Sequence, residues 1–89
     1  MKLSEAYQMF LEYAGAKGHS PLTVSSYGND EKNFLKFLNE QNLDSNLESI
    51  DAKIVRRYIV WMKSKGYSRA TMKRKIDSLS SFFNYTEYE

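Results

Sequence analysis

The sequence predicts an all-α fold, a compact four-helix bundle. Apolar residues recur at three- and four-residue spacing in four segments, which is the pattern of helices with one buried side. The chain has 89 residues with only four Gly and one Pro. Nowhere do β-branched residues alternate with polar ones between turn signals, as strands require. Because short connections join the four segments, we expect residues 1–89 to form a single domain.

Helices one and two carry clear start and stop signals. We expect Ser4 to cap helix one and Gly18 to follow its last turn in a left-handed conformation. Ser20 before Pro21 marks the start of helix two, because Pro is favoured at the first helical position. The predicted buried sides contain Ala6, Tyr7, Phe10, Leu11 and Ala14 in helix one, and Val24, Tyr27, Phe34, Leu35 and Leu38, interrupted by Glu31, in helix two.

The opposite side of helix two is polar and mostly uncharged. The neighbouring acids Asp30 and Glu31 point about 100° apart on a helix and do not face one site, so we interpret this pair as surface charge. The short polar side chains on this side are Ser25, Ser26, Asn29 and Asn33.

Helices three and four are predicted to form a hairpin. Asp51 is placed to cap helix three, whose broad apolar arc predicts the most buried helix of the four. A turn at Gly66 leads to a cap at Ser68, and Leu43 and Leu47 are expected to pin the preceding loop to the core. The two apolar faces contain Ile54, Tyr58, Trp61 and Met62 in helix three, and Met72, Ile76, Leu79 and Phe83 in helix four. We expect one core that includes Phe10, Tyr27, Phe34, Leu38, Ile54, Tyr58, Met62, Ile76, Leu79 and Phe83.

The basic residues are concentrated in the second half of the chain. The segment 53–75 holds nine of the thirteen Lys and Arg residues and no acid, whereas residues 1–50 have a balance of −3. Such asymmetry is typical of a face for an anionic partner, although an ordinary solvated helix surface would give the same count. With Met72 at the centre of the buried face, a polar and cationic stripe flanks it at about 100° per residue. That stripe contains Thr71, Arg74, Lys75 and Ser78.

The sequence contains no recognisable catalytic or cofactor pattern. His19 is the only histidine and there is no cysteine, so neither metal-ligand spacing nor a disulfide is present. Gly-rich phosphate loops are missing, and no apolar stretch is long enough for a signal peptide or a membrane span. We therefore expect a cytoplasmic binding domain without enzymatic activity, cofactor, metal or membrane partner.

Two stretches carry a resemblance to a known family. The first is Ser20-Pro21-Leu22-Thr23 with Tyr27, Asp30 and Phe34-Leu35-Lys36-Phe37-Leu38; the second is Gly66-Tyr67-Ser68-Arg69-Ala70-Thr71-Met72-Lys73-Arg74-Lys75-Ile76 with Leu79 and Phe82-Phe83. Together with Leu3 to Gly18, they resemble the core-binding, or SAM-like, domain of tyrosine recombinases, the phage-integrase family. The resemblance covers essentially the whole chain. Glu31 departs from it, since the family usually has an apolar residue there.

The resemblance implies a role in site-specific recombination. In that family the helical domain and a catalytic domain form a clamp around duplex DNA, which the helical domain contacts through its second and fourth helices. The catalytic Arg, Lys, His-x-x-Arg and Tyr set is not found here, so the chain is expected to be a fragment of a longer recombinase that binds DNA without cutting it. We expect a monomeric fragment of a parent that is tetrameric on DNA. The resemblance implies DNA contacts from Ser20, Thr23, Ser25, Ser26 and Asn29 in helix two, and from Thr71, Arg74, Lys75 and Ser78 in helix four.

Two other functions remain open at this point. A free-standing helix-turn-helix regulator would need a richer set of base-reading side chains and a dimer face. A helical protein-interaction module would place the basic face against an acidic partner, and an exposed apolar groove would favour it.

Overall fold

The structure, a computed structural model, describes residues 1–87 and confirms the all-α bundle. Residues 88 and 89 of the predicted domain lie outside the described residues. Between residues 1 and 87 the chain forms four α-helices and a short 3₁₀ turn at Leu47–Ser49. The helices are α1 (Leu3–Ala16), α2 (Pro21–Glu40), α3 (Ala52–Ser64) and α4 (Arg69–Glu87).

Local hydrogen bonds explain where three of the helices begin. The side chains of Ser20, Asp51 and Ser68 accept hydrogen bonds from backbone N–H groups three residues later, at 3.2, 3.0 and 3.1 Å. These bonds satisfy donors that have no partner inside the helix. The three predicted caps are therefore confirmed.

The predicted start of α1 is wrong by two residues. Lys2 occupies the N-cap position, and Ser4 lies inside the helix. The reason is tertiary, because the Leu3 N–H donates to the Ser45 carbonyl at 2.8 Å and needs no side-chain cap. Gly18 follows α1 with φ 104° as predicted, and Gly66 has φ 83° between α3 and α4, a conformation that glycine adopts without strain.

The core lies where α2 crosses the other three helices. α2 packs against α1, α3 and α4, and α4 also contacts α1 and α3. Tyr7 stacks on Phe82 with ring centroids 4.3 Å apart, and Phe34 meets Tyr58 edge to face at 4.8 Å. Most predicted core residues are buried; Tyr27, Ile54, Ile76 and Phe83 are half-buried at its edge.

Two predictions about the core need correction. α3 is not the most buried helix, because it buries three side chains where α1 buries five. Its Ile59 and Val60 are exposed. In α4 the buried face is turned from Met72 toward Phe82, which is fully buried, while Phe83 is only half-buried. The stacking of Phe82 on Tyr7 explains this rotation.

Candidate nucleic-acid interface

A groove between α2 and α4 brings residues of both helices together. It has a volume of about 410 Å³ and runs between the first half of α2 and the middle of α4. We call it the α2–α4 groove. It unites four of the predicted contact residues, namely Thr23, Ser26, Arg74 and Ser78. Its remaining lining residues are Leu22, Tyr27, Asp30, Asp77 and Ser81.

The helices that form the groove begin with the same Ser-x-x-Thr cap. Besides its bond to the backbone, Ser20 Oγ lies 3.0 Å from Thr23 Oγ1. Ser68 Oγ donates to Thr71 Oγ1, also at 3.0 Å. Each helix start thus carries two hydroxyls beside the positive end of a helix dipole, a combination that suits a phosphate oxygen.

Asp30 is the centre of the polar contacts behind the groove. Its side chain is only 2% exposed, and its two carboxylate oxygens accept hydrogen bonds from Arg74 Nη1 at 3.0 and 2.9 Å. Lys75 Nζ donates to Asp30 Oδ1 at 3.1 Å. The interpretation of Asp30 as surface charge is therefore wrong. A carboxylate is stable at this depth because two cations replace the water that it loses.

The two cations that hold Asp30 differ in exposure. The Arg74 side chain is 52% exposed, and Nη1 is the guanidinium nitrogen that contacts Asp30. The Lys75 side chain is only 12% exposed. Arg74 is thus oriented by Asp30 while its outer edge faces the groove, whereas Lys75 serves mainly to neutralise the buried carboxylate.

The net charge of the groove is small. Asp30 offsets one of the two cations that it contacts, Arg74 and Lys75. Asp77 pairs with Lys73 at 3.0 Å. Both members of that second pair are exposed, so it contributes little to stability. The groove is a lightly charged surface of hydroxyls around one anchored guanidinium.

Ser78 is not on an exposed stripe as predicted. It lines the floor of the groove but is only 4% exposed. Among the described residues, neither its hydroxyl nor that of Tyr7 has a hydrogen-bond partner of good geometry. Burial raises the pKa of Tyr7, and the nearby Ser78 hydroxyl partly opposes that shift. The rotation of α4 toward Phe82 turned Ser78 inward.

Other predicted contact residues lie beside the groove. Ser25 and Asn29 are exposed on α2, and Thr71 is half-buried at the start of α4. Asn33, placed by its sequence on the same polar side, is half-buried instead. Its amide donates to Tyr58 Oη at 2.7 Å and accepts from Tyr67 Oη at 2.9 Å, because the end of α2 faces α3 and the α3–α4 turn.

Sequence reasoning missed Asp30, although its spacing contained the signal. Asp30 follows Tyr27 by three residues and precedes Phe34 by four, so it lies on the buried stripe of α2. Glu31 is half-buried next to it, and burial raises the pKa of Glu31. The partners of Asp30 lie 44 and 45 residues away in sequence, and no local pattern could have supplied them.

The described residues offer no other obvious chemistry. Between residues 1 and 87, no three His, Cys, Asp or Glu side chains gather in a way that could hold a metal ion. None of the four helices has the length and apolar character needed to cross a membrane. The α2–α4 groove is the candidate site because it gathers four of the predicted contact residues.

The fold and this groove define a small helical domain with a surface suited to phosphate contacts. Residues 6–89 match the family described as phage integrase, N-terminal SAM-like domain. The chain belongs to this family, as the resemblance predicted.

Curated relatives agree with the family. A protein named tyrosine recombinase XerC from Listeria monocytogenes serotype 4a (strain HCC23) is 38% identical over 79 residues, which cover 88% of this chain and 26% of the relative. Proteins of the same name from Staphylococcus saprophyticus and Bacillus pumilus are 34% and 32% identical, over 94% and 86% of this chain and 27% and 25% of those relatives. The chain spans about a quarter of the length of these relatives. No solved structure shows a significant match.

Proposed function

We propose that this chain is the DNA-binding domain of a site-specific tyrosine recombinase and lies against duplex DNA through the starts of α2 and α4. The observation that carries the proposal is the α2–α4 groove, which brings the first half of α2 beside the anchored Arg74 in the middle of α4. Each of these two helices also begins with a Ser cap. The names of the curated relatives support the same class of protein.

The proposed roles of the candidate contact residues follow from their exposure. Ser20, Ser25, Ser26 and Asn29 are exposed and carry short polar side chains that suit phosphate and base-edge contacts. Arg74 is the cation in position to reach a guanine edge, because Asp30 fixes its guanidinium from behind. Thr23 and Thr71 support the two helix starts. Lys75 and Ser78 act from behind the surface, the former through Asp30.

The proposal extends to the parent protein. The catalytic domain belongs to the same parent chain, forms the other half of a clamp on the duplex, and acts in a cytoplasmic tetramer on DNA. Isolated, the domain neither cleaves nor rejoins DNA, because the arginine, histidine and tyrosine constellation of that chemistry is missing from its sequence. A covalent adduct between the purified chain and a suicide DNA substrate would contradict this.

A titration with duplex DNA tests the binding surface. We expect weak, salt-sensitive binding with a Kd of about 10⁻⁴ to 10⁻⁶ M on non-specific sites. Amide chemical shifts should change around residues 20–29 and 68–78. If the changes gather on α1, or if DNA at low salt changes no shift, a protein-interaction module becomes the better account.

A matched pair of variants locates the contact more sharply. Ser26→Asp places a negative charge in the groove, whereas Ser4→Asp places the same charge on the exposed side of α1. We expect Ser26→Asp to weaken DNA binding roughly tenfold more than Ser4→Asp does, since like charges repel at an interface. Equal effects of the two variants would mean that only net charge matters and that the groove makes no contact.

The role of Arg74 in DNA binding can be tested with a variant that preserves the fold. Arg74→Lys keeps a cation beside Asp30 but loses the planar fork that reads guanine. We expect Arg74→Lys to cost about 1–3 kcal/mol of binding on the cognate site and much less on other sequences. An equal loss on every sequence would assign Arg74 to a phosphate instead.

A further inference from the structure

The outer face of α3 carries cations that the groove does not use. At about 100° per residue, Lys53, Arg56, Arg57 and Lys63 all fall within about 60° of Val60 on the helix surface. All five residues are exposed, Val60 by 69%. We call this face the α3 basic stripe. Tyr58 and Met62 occupy the opposite, buried side of the helix.

The charges of the α3 basic stripe are uncompensated. None of its four cations forms an ion pair with any residue from 1 to 87. Arg57 reaches only the neutral Gln41, at 3.5 Å. The nearby Lys65, by contrast, pairs with Glu40 at 3.3 Å. Four cations without an ion pair thus lie on one helix face, and such a patch attracts a polyanion.

The stripe borders a cleft that is separate from the groove. Lys53, Arg56, Arg57 and Val60 line a depression of about 460 Å³ together with Gln41, Trp61 and Ser64. No residue lines both this cleft and the α2–α4 groove. The stripe is therefore a second surface, and not an extension of the first.

The composition of the stripe favours nucleic acid over an acidic protein. Protein interfaces are rich in aromatic anchors and poor in Lys, with an apolar centre. Here the apolar centre is Val60 alone, and Trp61 is 6% exposed with its indole N–H donated to Glu40. The cations extend about 15 Å along the helix, from Lys53 to Lys63.

We propose that the α3 basic stripe is a second binding surface for the phosphate backbone of duplex DNA, distinct from the α2–α4 groove. It contacts phosphates only and reads no sequence, since its side chains are flexible and no buried acid orients them. This role rests on the proposed function: in the recombinase the stripe would take the backbone of a second DNA segment, since no residue lines both its cleft and the α2–α4 groove.

The test compares two variants with equal loss of charge. Arg56→Gln/Arg57→Gln removes two cations from the stripe, and Lys2→Gln/Lys17→Gln removes two exposed cations from the ends of α1. Binding of the 89-residue chain to a fluorescent duplex is measured over a range of salt concentrations. We expect the stripe variant to lower the slope of log K against log salt by about 1.8, which is 0.9 for each phosphate contact. The α1 variant should change the slope by less than about 0.5.

The outcomes separate this proposal from the proposed function. If both variants lower the slope equally, or if the stripe variant leaves it unchanged, the second surface is overturned. If the stripe variant binds DNA normally but loses binding to polyglutamate, the stripe belongs to an acidic protein and the proposal fails. If the stripe variant lowers the slope while Ser26→Asp has no more effect than Ser4→Asp, the stripe stands and the groove fails.

A second measurement does not depend on the fold of a variant. In the unaltered chain, amide signals of residues 53–64 should shift during a DNA titration. These signals should shift at higher DNA concentrations than those of residues 20–29, so the two sets should have different titration midpoints. If the α3 signals stay still at saturating DNA and low salt, the second surface does not exist.

Discussion

The α2–α4 groove and the α3 basic stripe use their cations in opposite ways. Behind the groove, Asp30 holds Arg74 and Lys75 at 2.9–3.1 Å, so one of the two positive charges is offset and the guanidinium is oriented. On the stripe, no ion pair with residues 1–87 restrains the cations. An oriented donor can distinguish ligands by geometry, whereas free cations attract any phosphate backbone.

The comparison teaches that a count of basic residues does not show which cations are free to meet a ligand. The segment 53–75 looks uniformly basic in the sequence. In the fold, the cations of its first part are exposed on α3. At its end, Arg74 and Lys75 contact Asp30 on α2. The surface with less uncompensated charge, the α2–α4 groove, is the one that holds a side chain, Arg74, in a fixed position. The four predictions below test this contrast, beginning with the largest expected effect.

The largest effect should come from the core that supports both surfaces. Phe34 is fully buried on α2 and contacts Tyr58 of α3, so Phe34→Ala should lower the free energy of unfolding by about 3–5 kcal/mol. Urea denaturation measures this. Leu22→Ala is the control, because Leu22 is 83% exposed and should change stability by less than about 0.5 kcal/mol. A loss below about 1 kcal/mol for Phe34→Ala would mean that the buried face of α2 is assigned wrongly.

Removing the acid behind the groove should give the next largest effect. Asp30→Ala leaves Lys75 buried without its partner, and we expect a loss of about 2–3 kcal/mol in unfolding free energy. This is less than a fully buried pair would lose, since Arg74 is half exposed.

Two controls separate burial from charge in that experiment. Asp77→Ala breaks an exposed pair and should cost less than about 1 kcal/mol. Arg57→Ala removes a free cation of the stripe and should cost less than about 0.5 kcal/mol. If all three variants cost the same, Asp30 does not anchor the groove and the contrast between the two surfaces disappears.

The sequence was sufficient for the fold but not for this contrast. Helix number, three of four caps and most core positions follow from spacing and turn chemistry, which are local properties. The start of α1 was misplaced because a backbone bond from Leu3 to Ser45 replaces the cap. Asp30 was misassigned because it is stabilised only by residues more than forty positions away. Long-range ion pairs thus decide which candidate side chains remain available.

A smaller effect should appear at alkaline pH, where the tyrosines ionise. Burial raises the pKa of Tyr58 from 10.0 to about 12, although its hydrogen bond from Asn33 acts in the opposite direction. Because the folded state holds the proton more tightly than the unfolded state, Tyr58 contributes full stability below pH 10. That contribution is lost as the pH rises toward 12, at no more than about 1.4 kcal/mol per pH unit.

Denaturation at several pH values measures this loss. Tyr58→Phe keeps the ring but removes the ionising group, so its stability should fall less steeply above pH 10. The Tyr67–Asn33–Tyr58 hydrogen bonds connect α2 to α3 and to the turn before α4, so their loss should loosen both surfaces together. If Tyr58→Phe and the unaltered chain lose stability in parallel above pH 10, Tyr58 does not contribute to the alkaline transition.

The smallest effect is expected from Gly28, in the middle of α2. Glycine inside a helix costs about 0.5–1 kcal/mol relative to alanine. A Cβ atom at this position would meet only Leu11 Cδ1, at 3.7 Å, which is an ordinary contact. We therefore expect Gly28→Ala to raise the free energy of unfolding by about 0.5–1 kcal/mol. Gly18→Ala is the contrasting variant and should destabilise, because Gly18 has φ 104° and alanine is strained there.

Since stiffening α2 leaves the anchored Arg74 in place, DNA binding by Gly28→Ala should stay within about twofold. A stabilised variant that binds DNA much more weakly would show that the groove must deform to bind, and that its orientation by Asp30 is not the basis of recognition.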